Sequence, residues 1–293
     1  MDPEEERVTP EQSRDLDNAL LAYWTSRDEA AVKQQASNAP DVGGRAGVTS
    51  GGHLDRVAQL LGKVCIAAGA PAEQVYYKAP KGDPYRRPKV KKGYTLPGYF
   101  RPTKEWDVVV YHEGVPIAVI ELKSQNGPSY GNNANNRAEE AIGNAVDLAR
   151  AAEAGLVQGR PWIGYAFVIE DDERSRAMDG RKTGSLLHQD RYFDDWSYVG
   201  RICLLCSRLT EERFYDSAWV VATSRPTCPA PVGKLHKCPQ IAKGISPHLH
   251  KFGRREPDVN LGYVSFITGL SKQIEKYYSS GPATGDPKLS LAG

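Results

Sequence analysis

DVVVYHEGVPIAVIELKSQ, residues 107–125, decides the fold. Asp107–Tyr111 is a short apolar run, His112–Gly114 a turn, and Val115–Lys123 a second apolar run, which together predict a β-hairpin in the core. Side chains alternate along a strand, so Val119, Glu121, Lys123 and Gln125 share one face and Ile120 and Leu122 the other. A carboxylate and an ammonium two residues apart at the end of so apolar a strand are costly to bury unless paired or bound to a metal. Asp107 opens the partner strand, and a hairpin of this length brings its carboxylate beside Glu121. Two converging carboxylates repel each other and invite a divalent cation, with oxygen-only ligation favouring Mg²⁺. Phosphodiester hydrolysis needs a metal to neutralise phosphate, an activated water, and a cation near the developing charge. Asp107 and Glu121 suit the first task, and Lys123 suits positioning or activating the water. The same pattern also fits an edge strand whose Glu121 and Lys123 merely face solvent or each other.

Outward from the hairpin, residues 11–36 read as a helix through Leu16, Leu20 and Tyr23, ending at Asn38-Ala39-Pro40. A glycine-rich stretch follows, and then a helix from His53 to about Ala68. Residues 78–102, dense in Pro, Gly and Tyr, read as an ordered loop or short hairpin. After Gln125, an asparagine-rich loop leads to a helix with Asn136 as N-cap and Glu139 and Glu140 in its first turn. Trp162–Ile169 reads as a buried strand, Val199–Arg213 as a helix and Ala218–Thr223 as a strand. A basic loop over 225–258 precedes a helix near Ser265–Tyr278 and a mobile tail. Strands alternating with helices around a hairpin predict an α/β (α+β) domain, a central mixed sheet flanked by helices. We expect one domain over 1–280: a helical part at 11–70, a catalytic core at about 100–225, the basic loop and the last helix, with 281–293 as tail.

Composition is that of an ordinary globular protein, 40% hydrophobic and 25% charged. No run is apolar enough to cross a bilayer, and the acidic, polar start lacks a signal-like segment, so a cytoplasmic location without membrane attachment is expected. Five cysteines, an odd number, argue for reduced thiols. The net charge of +2 conceals segregation. Residues 78–104 hold nine Lys or Arg against Asp83, and residues 225–255 hold seven and no acid, which leaves −13 for the remainder. Two basic segments on an acidic protein suit a polyanion, although solvated loops look the same.

Among further candidates, Gln125 is placed to touch DNA or orient a metal-bound water. Asn132, Asn133, Asn135, Asn136 and Arg137 are suited to base reading, since Asn pairs with adenine and Arg with guanine, yet the same residues describe a turn and N-cap. Arg86, Arg87, Lys89, Lys91 and Lys92, lying between Tyr85 and Tyr94, suit phosphate contacts. Glu139, Glu140 and Asp55 are weaker candidates for a further acid. Cys203 and Cys206 fall on an apolar helix, where cysteine behaves as a small hydrophobe, and Cys228 and Cys238 are too widely spaced for a zinc knuckle. His112 reads as an exposed turn residue.

The run 100–147 resembles the XhoI-type family of type II restriction endonucleases, within the PD-(D/E)xK nuclease superfamily. The residues that carry the likeness are Glu105-Trp-Asp107, Glu121-Leu-Lys123-Ser-Gln125 and Gly131-Asn-Asn-Ala-Asn-Asn-Arg137-Ala-Glu-Glu-Ala141. Weaker similarity lies near Gly43–Gly52. Trp106 stands where the superfamily's proline is usual. The resemblance implies a restriction-endonuclease-like core and a homodimer making Mg²⁺-dependent double-strand cuts in CTCGAG after its first base (C^TCGAG). It further implies Asp107, Glu121 and Lys123 as the catalytic trio, with the Leu122 carbonyl as a further metal ligand. A cognate DNA methyltransferase is the expected functional partner. The rival readings are a structure-selective repair or recombination nuclease on the same core, and a non-catalytic DNA-binding protein with a degenerate core.

Overall fold

The computed structural model describes residues 9–36, 52–78, 93–128, 130–177, 193, 196–226 and 260–278. The elements in chain order are α1 (Pro10–Ala36), α2 (Asp55–Ala67), β1 (Val75–Tyr77), β2 (Thr95–Pro97), β3 (Thr103–Glu105), β4 (Val108–His112) and β5 (Val115–Gln125). Then follow α3 (Tyr130–Glu153), β6 (Trp162–Glu170), the single turn α4 (Glu173–Arg176), α5 (Tyr198–Glu211), β7 (Ser217–Thr223) and α6 (Tyr263–Tyr278).

The hairpin forms as its sequence dictates. Glu113 and Gly114 both have positive φ, 50° and 81°, the backbone of a two-residue hairpin turn whose twist matches the strands it joins. His112 therefore pairs with Val115 and belongs to the strand, not to the turn. It is half-buried against the rings of Tyr277 and Tyr278, which corrects the expectation of an exposed residue. β5 pairs antiparallel with β4 and parallel with β6, and β6 pairs parallel with β7. With β1 antiparallel on β4, the five-stranded mixed sheet has the order β1-β4-β5-β6-β7. β5 and β6 are apolar almost throughout because helices cover both sides of them.

One layer of core sets Leu20, Trp24, Leu61, Phe266 and Leu270 from α1, α2 and α6 against Val108, Ile120, Leu122 and Trp219. The other sets Ala141, Ala145, Leu148, Ile202, Cys203 and Cys206 from α3 and α5 against Val119, Tyr165, Phe167 and Val220. This three-layer arrangement is the expected mixed-sheet α/β class. Gly164 on β6 has a packing reason: a Cβ there would lie 2.7 Å from both the Phe266 and the Trp162 rings. Cys203 and Cys206 are fully buried free thiols, raised by that burial above the usual thiol range. Among the described residues no helix is long and apolar enough to cross a membrane.

Two sequence expectations are corrected. The asparagine-rich segment is not a loop, since α3 begins at Tyr130 and Asn133, Asn135 and Asn136 lie in its first two turns. Asn136 is not an N-cap, and Glu139 and Glu140 lie in the third turn, beyond reach of the helix N-terminus. Packing outweighs the weak helix propensity of asparagine here. Tyr130 is buried and stacked on Tyr198, and its carbonyl accepts from the Gln125 side chain at 2.6 Å. The end of the basic segment, by contrast, forms the expected short hairpin, with β2 pairing antiparallel to β3.

Candidate active site

The site lies beside the first residue of β4, where β5 runs on past it. Asp107 immediately precedes β4, and its amide donates to the Ile120 carbonyl at 3.0 Å. Its carboxylate Oδ2 accepts the Leu122 amide at 2.6 Å. The Leu122 peptide therefore faces the β4 edge, and its carbonyl, on the same side of the strand, faces that edge too. Glu121 is 1% exposed and ionically paired through both oxygens, Oε1 to Lys123 Nζ at 2.6 Å and Oε2 to Lys104 Nζ at 2.7 Å. The Asn144 side-chain amide of α3 also donates to Oε1, at 3.3 Å. Asp107, Glu121 and Lys123 thus converge as the strand alternation requires.

Burial and the neighbouring Glu121 charge push the Asp107 carboxyl up to about 7, against the opposing pull of the Leu122 amide, Lys123 and Lys104. Burial alone would raise Glu121 as well, but Lys123 and Lys104 outweigh it and hold Glu121 below the usual carboxylate range. Burial works against the Lys123 ammonium, and the Glu121, Glu140 and Asp107 carboxylates more than compensate, so its pKa is raised. At neutral pH the three groups are an ionised Glu121, an Asp107 carboxyl near its titration point, and a Lys123 that keeps its proton.

No group of three or more His, Cys, Asp or Glu side chains converges among the described residues. The oxygen donors gathered at this edge that could hold a divalent cation are the Asp107 and Glu121 carboxylates and the Leu122 carbonyl. The chemistry fits. Both side chains are hard oxygen donors, and their mutual repulsion, visible in Asp107, is what a cation relieves.

The remaining candidates separate clearly. Gln125 shares the strand face of Glu121 but is buried, with its amide committed to the Tyr130 carbonyl. Arg137 extends from α3 back toward the site, pairing with Glu140 at 2.6 Å and reaching the Ser124 carbonyl at 3.5 Å. Glu140 lies 3.5 Å from Lys123, so Arg137, Glu140, Lys123 and Glu121 form one chain of charges. Asn135 and Asn136 are exposed on the same helix and Asn133 is half-buried; the side chain of Asn132 lies outside the described residues. Arg86, Arg87, Lys89, Lys91 and Lys92 also lie outside them, as do Cys228, Cys238 and most of the second basic segment. Asp55 opens α2, on the opposite face of the sheet from Glu121.

Three groups escaped the sequence reading. Lys104 enters it only as one cation of a basic run. Asn144 and Asp147 lie on α3, one turn apart. Asp147 accepts from the Tyr99 and Phe100 amides at 2.8 and 2.7 Å and from Arg101 Nε at 2.7 Å. Arg101 also donates to Asn144 Oδ1 at 2.7 Å. A continuous network therefore runs from the β2–β3 hairpin through α3 to Glu121. The available signal was the helical spacing of Glu140, Asn144 and Asp147 on one side of α3.

The family described as restriction endonuclease XhoI matches residues 33–234, a span that includes all the site residues named above. The type II restriction enzyme XhoI of Xanthomonas vasicola is 37% identical over 198 residues, 67% of this chain and 74% of that protein. AbrI of Azospirillum brasilense is 38% identical over 159 residues, 54% of this chain and 66% of the relative. BstVI of Geobacillus stearothermophilus is 32% identical over 207 residues, 66% of this chain and 83% of the relative. No solved structure matches the chain.

Proposed function

Because the chain belongs to the XhoI family of restriction endonucleases and is a type II site-specific deoxyribonuclease, we propose that Asp107, Glu121 and Lys123 carry out its cleavage of DNA. The observation that carries this reading is the buried Glu121 between two ammoniums with Asp107 alongside, at the one edge of β5 left open by β4. Asp107, Glu121 and the Leu122 carbonyl would hold Mg²⁺, which when bound neutralises the scissile phosphate and acidifies a water. Lys123, whose pKa is raised by its carboxylate neighbours, is placed to orient the attacking water and to stabilise developing negative charge. Glu121 fixes that ammonium, and Glu140 restrains it from the helix side.

The N-terminal half of α3, with Asn133, Asn135, Asn136 and Arg137, would face DNA next to the site. Support comes from its charge chain to Lys123 and from the base-pairing capacity of Asn and Arg. Arg86, Arg87, Lys89, Lys91 and Lys92 supply cations for phosphates. Gln125 acts instead by holding the start of α3 to the end of β5. The target proposed is CTCGAG, cut after the first base, and a homodimer supplies the two-fold match to that palindrome. A cognate methyltransferase completes the system functionally. Family membership favours this reading over a repair nuclease or a non-catalytic module.

The test is digestion of a plasmid carrying a single CTCGAG, with Mg²⁺ and with a chelator. The expected product is one linear species, formed only with the metal. Asp107→Ala and Lys123→Ala are expected to lower the cleavage rate by at least about a hundredfold. Cleavage by either variant at the wild-type rate removes the assignment.

A further inference from the structure

Lys104 is not an ordinary surface lysine. Its ammonium lies 2.7 Å from Glu121 Oε2, donates to the Glu105 carbonyl at 3.0 Å, and stands 4.8 Å over the ring of Trp106. Only 11% of its side chain is exposed. It is delivered by β3, whose partner strand β2 leads into the Tyr99–Arg101 turn that Asp147 clamps to α3. A lysine with this much of its freedom removed occupies a built position, not an incidental one.

The charge balance shows what that position does. Asp107 and Glu121, when ionised, are matched by Lys104 and Lys123, so the four groups sum to zero. A divalent cation entering alone raises the sum to +2 in a poorly hydrated pocket, where like charges repel strongly. A phosphodiester arriving with it offsets part of that excess and offers an ammonium a new anionic partner.

We propose that Lys104 is a positioning residue that makes metal binding conditional on DNA: it holds Glu121 Oε2 in the DNA-free enzyme and transfers its ammonium to the phosphate when DNA docks. The transfer frees the Glu121 oxygen for the metal, and the flexible four-carbon stem of lysine permits it. This inference rests on the assignment of Asp107 and Glu121 as the metal-holding pair. It separates Lys104 from a fixed counter-ion, which would stay on Glu121 when DNA docks and leave the effect of DNA on metal affinity the same with or without the lysine charge.

The test is calorimetric titration of Mn²⁺ into the DNA-free protein, comparing wild type with Lys104→Gln, Lys104→Arg and Asp107→Ala. Glutamine keeps a donor to Glu121 without the charge, and arginine keeps the charge. Lys104→Gln is expected to bind Mn²⁺ at least about tenfold more tightly than wild type, within the usual range of coupling between sites. Lys104→Arg should bind as wild type does. Equal or weaker binding by a folded Lys104→Gln overturns the proposal and leaves the Asp107–Glu121 assignment standing. Undiminished Mn²⁺ binding by Asp107→Ala overturns that assignment and the proposal with it. Wild type supplies a second measurement. Its Mn²⁺ affinity should rise at least about tenfold when a CTCGAG duplex with a non-bridging phosphorothioate at the scissile linkage is bound, and the rise should be smaller in Lys104→Gln, an equal rise in both overturning the proposal. Unchanged affinity again refutes the role of Lys104.

Discussion

Replacing Asp107 by Asn removes a charge that the folded protein tolerates poorly, so the variant should be inactive and yet more stable. The carboxyl is held at about 7 instead of 3.8, by burial first and the Glu121 charge second. At about 1.4 kcal/mol per tenfold change, ionising it in the native state costs up to about 4 kcal/mol. Asp107 is partly open to solvent, which screens the interaction, so about 2 kcal/mol is the figure expected. The sign follows from proton counting. Between about pH 4 and pH 7 the unfolded chain has released this proton while the native protein keeps it, so stability falls as pH rises through that window. Glu121 runs the other way: its lowered pKa contributes stability above its unfolded value of 4.5 that is lost on acidification. Glu121 is present in both proteins, so the comparison reports Asp107 together with its coupling to Glu121. The assay is urea denaturation followed by tryptophan fluorescence, with a chelator present, at about pH 4 and about pH 8.5. The two proteins should differ little at the lower pH, and the variant should lead by about 2 kcal/mol at the higher one. A difference that does not grow with pH, or a less stable variant at the higher pH, refutes the account of a repelled carboxylate pair.

Gly164→Ala places a methyl 2.7 Å from the Phe266 and Trp162 rings, and should lower stability by about 1–3 kcal/mol in thermal denaturation; an unchanged midpoint would mean that the rings move aside freely. Asp147→Ala removes the acceptor of the Tyr99 and Phe100 amides and one of the two partners of Arg101, which keeps Asn144, at a cost of about 1–3 kcal/mol. Hydrogen exchange at those two amides should accelerate selectively, and cleavage should fall because the hairpin that carries Lys104 is loosened. Protected amides in the variant would show that the clamp lies elsewhere.

The hairpin was legible because two local rules agreed on it. Strand alternation set Glu121 and Lys123 on one face, and the Glu113-Gly114 turn had the chemistry for tight reversal. The ends of most helices and strands were readable within a few residues for the same reason. The start of α3 was not, since its Asn-rich sequence has turn chemistry, and the contacts that override it come from Gln125 and Tyr198, outside the segment. Lys104 was unreadable for a related reason. A basic run looks uniform in sequence, and what singles out this lysine is a carboxylate 17 residues away that only the folded hairpins bring to 2.7 Å. The Asp147 clamp spans 46 residues and could not have been inferred from spacing alone.

The placement of the trio follows from a mismatch in strand length. β4 begins at Val108, opposite Ile120, whereas β5 continues to Gln125. Alternate peptides of β5 beyond that point face an edge on which no strand lies among the described residues, and backbone groups there must find other partners. Asp107 accepts the Leu122 amide, and Arg137 reaches the Ser124 carbonyl one step further on. Side chains thus substitute for a missing strand at the same edge that presents the Leu122 carbonyl. Extending β4 by two residues would satisfy the backbone and remove the opening. The acid, the carbonyl and the arginine are therefore set side by side by one feature of the sheet, and Glu121 with its two lysines lies within reach because it alternates with Leu122.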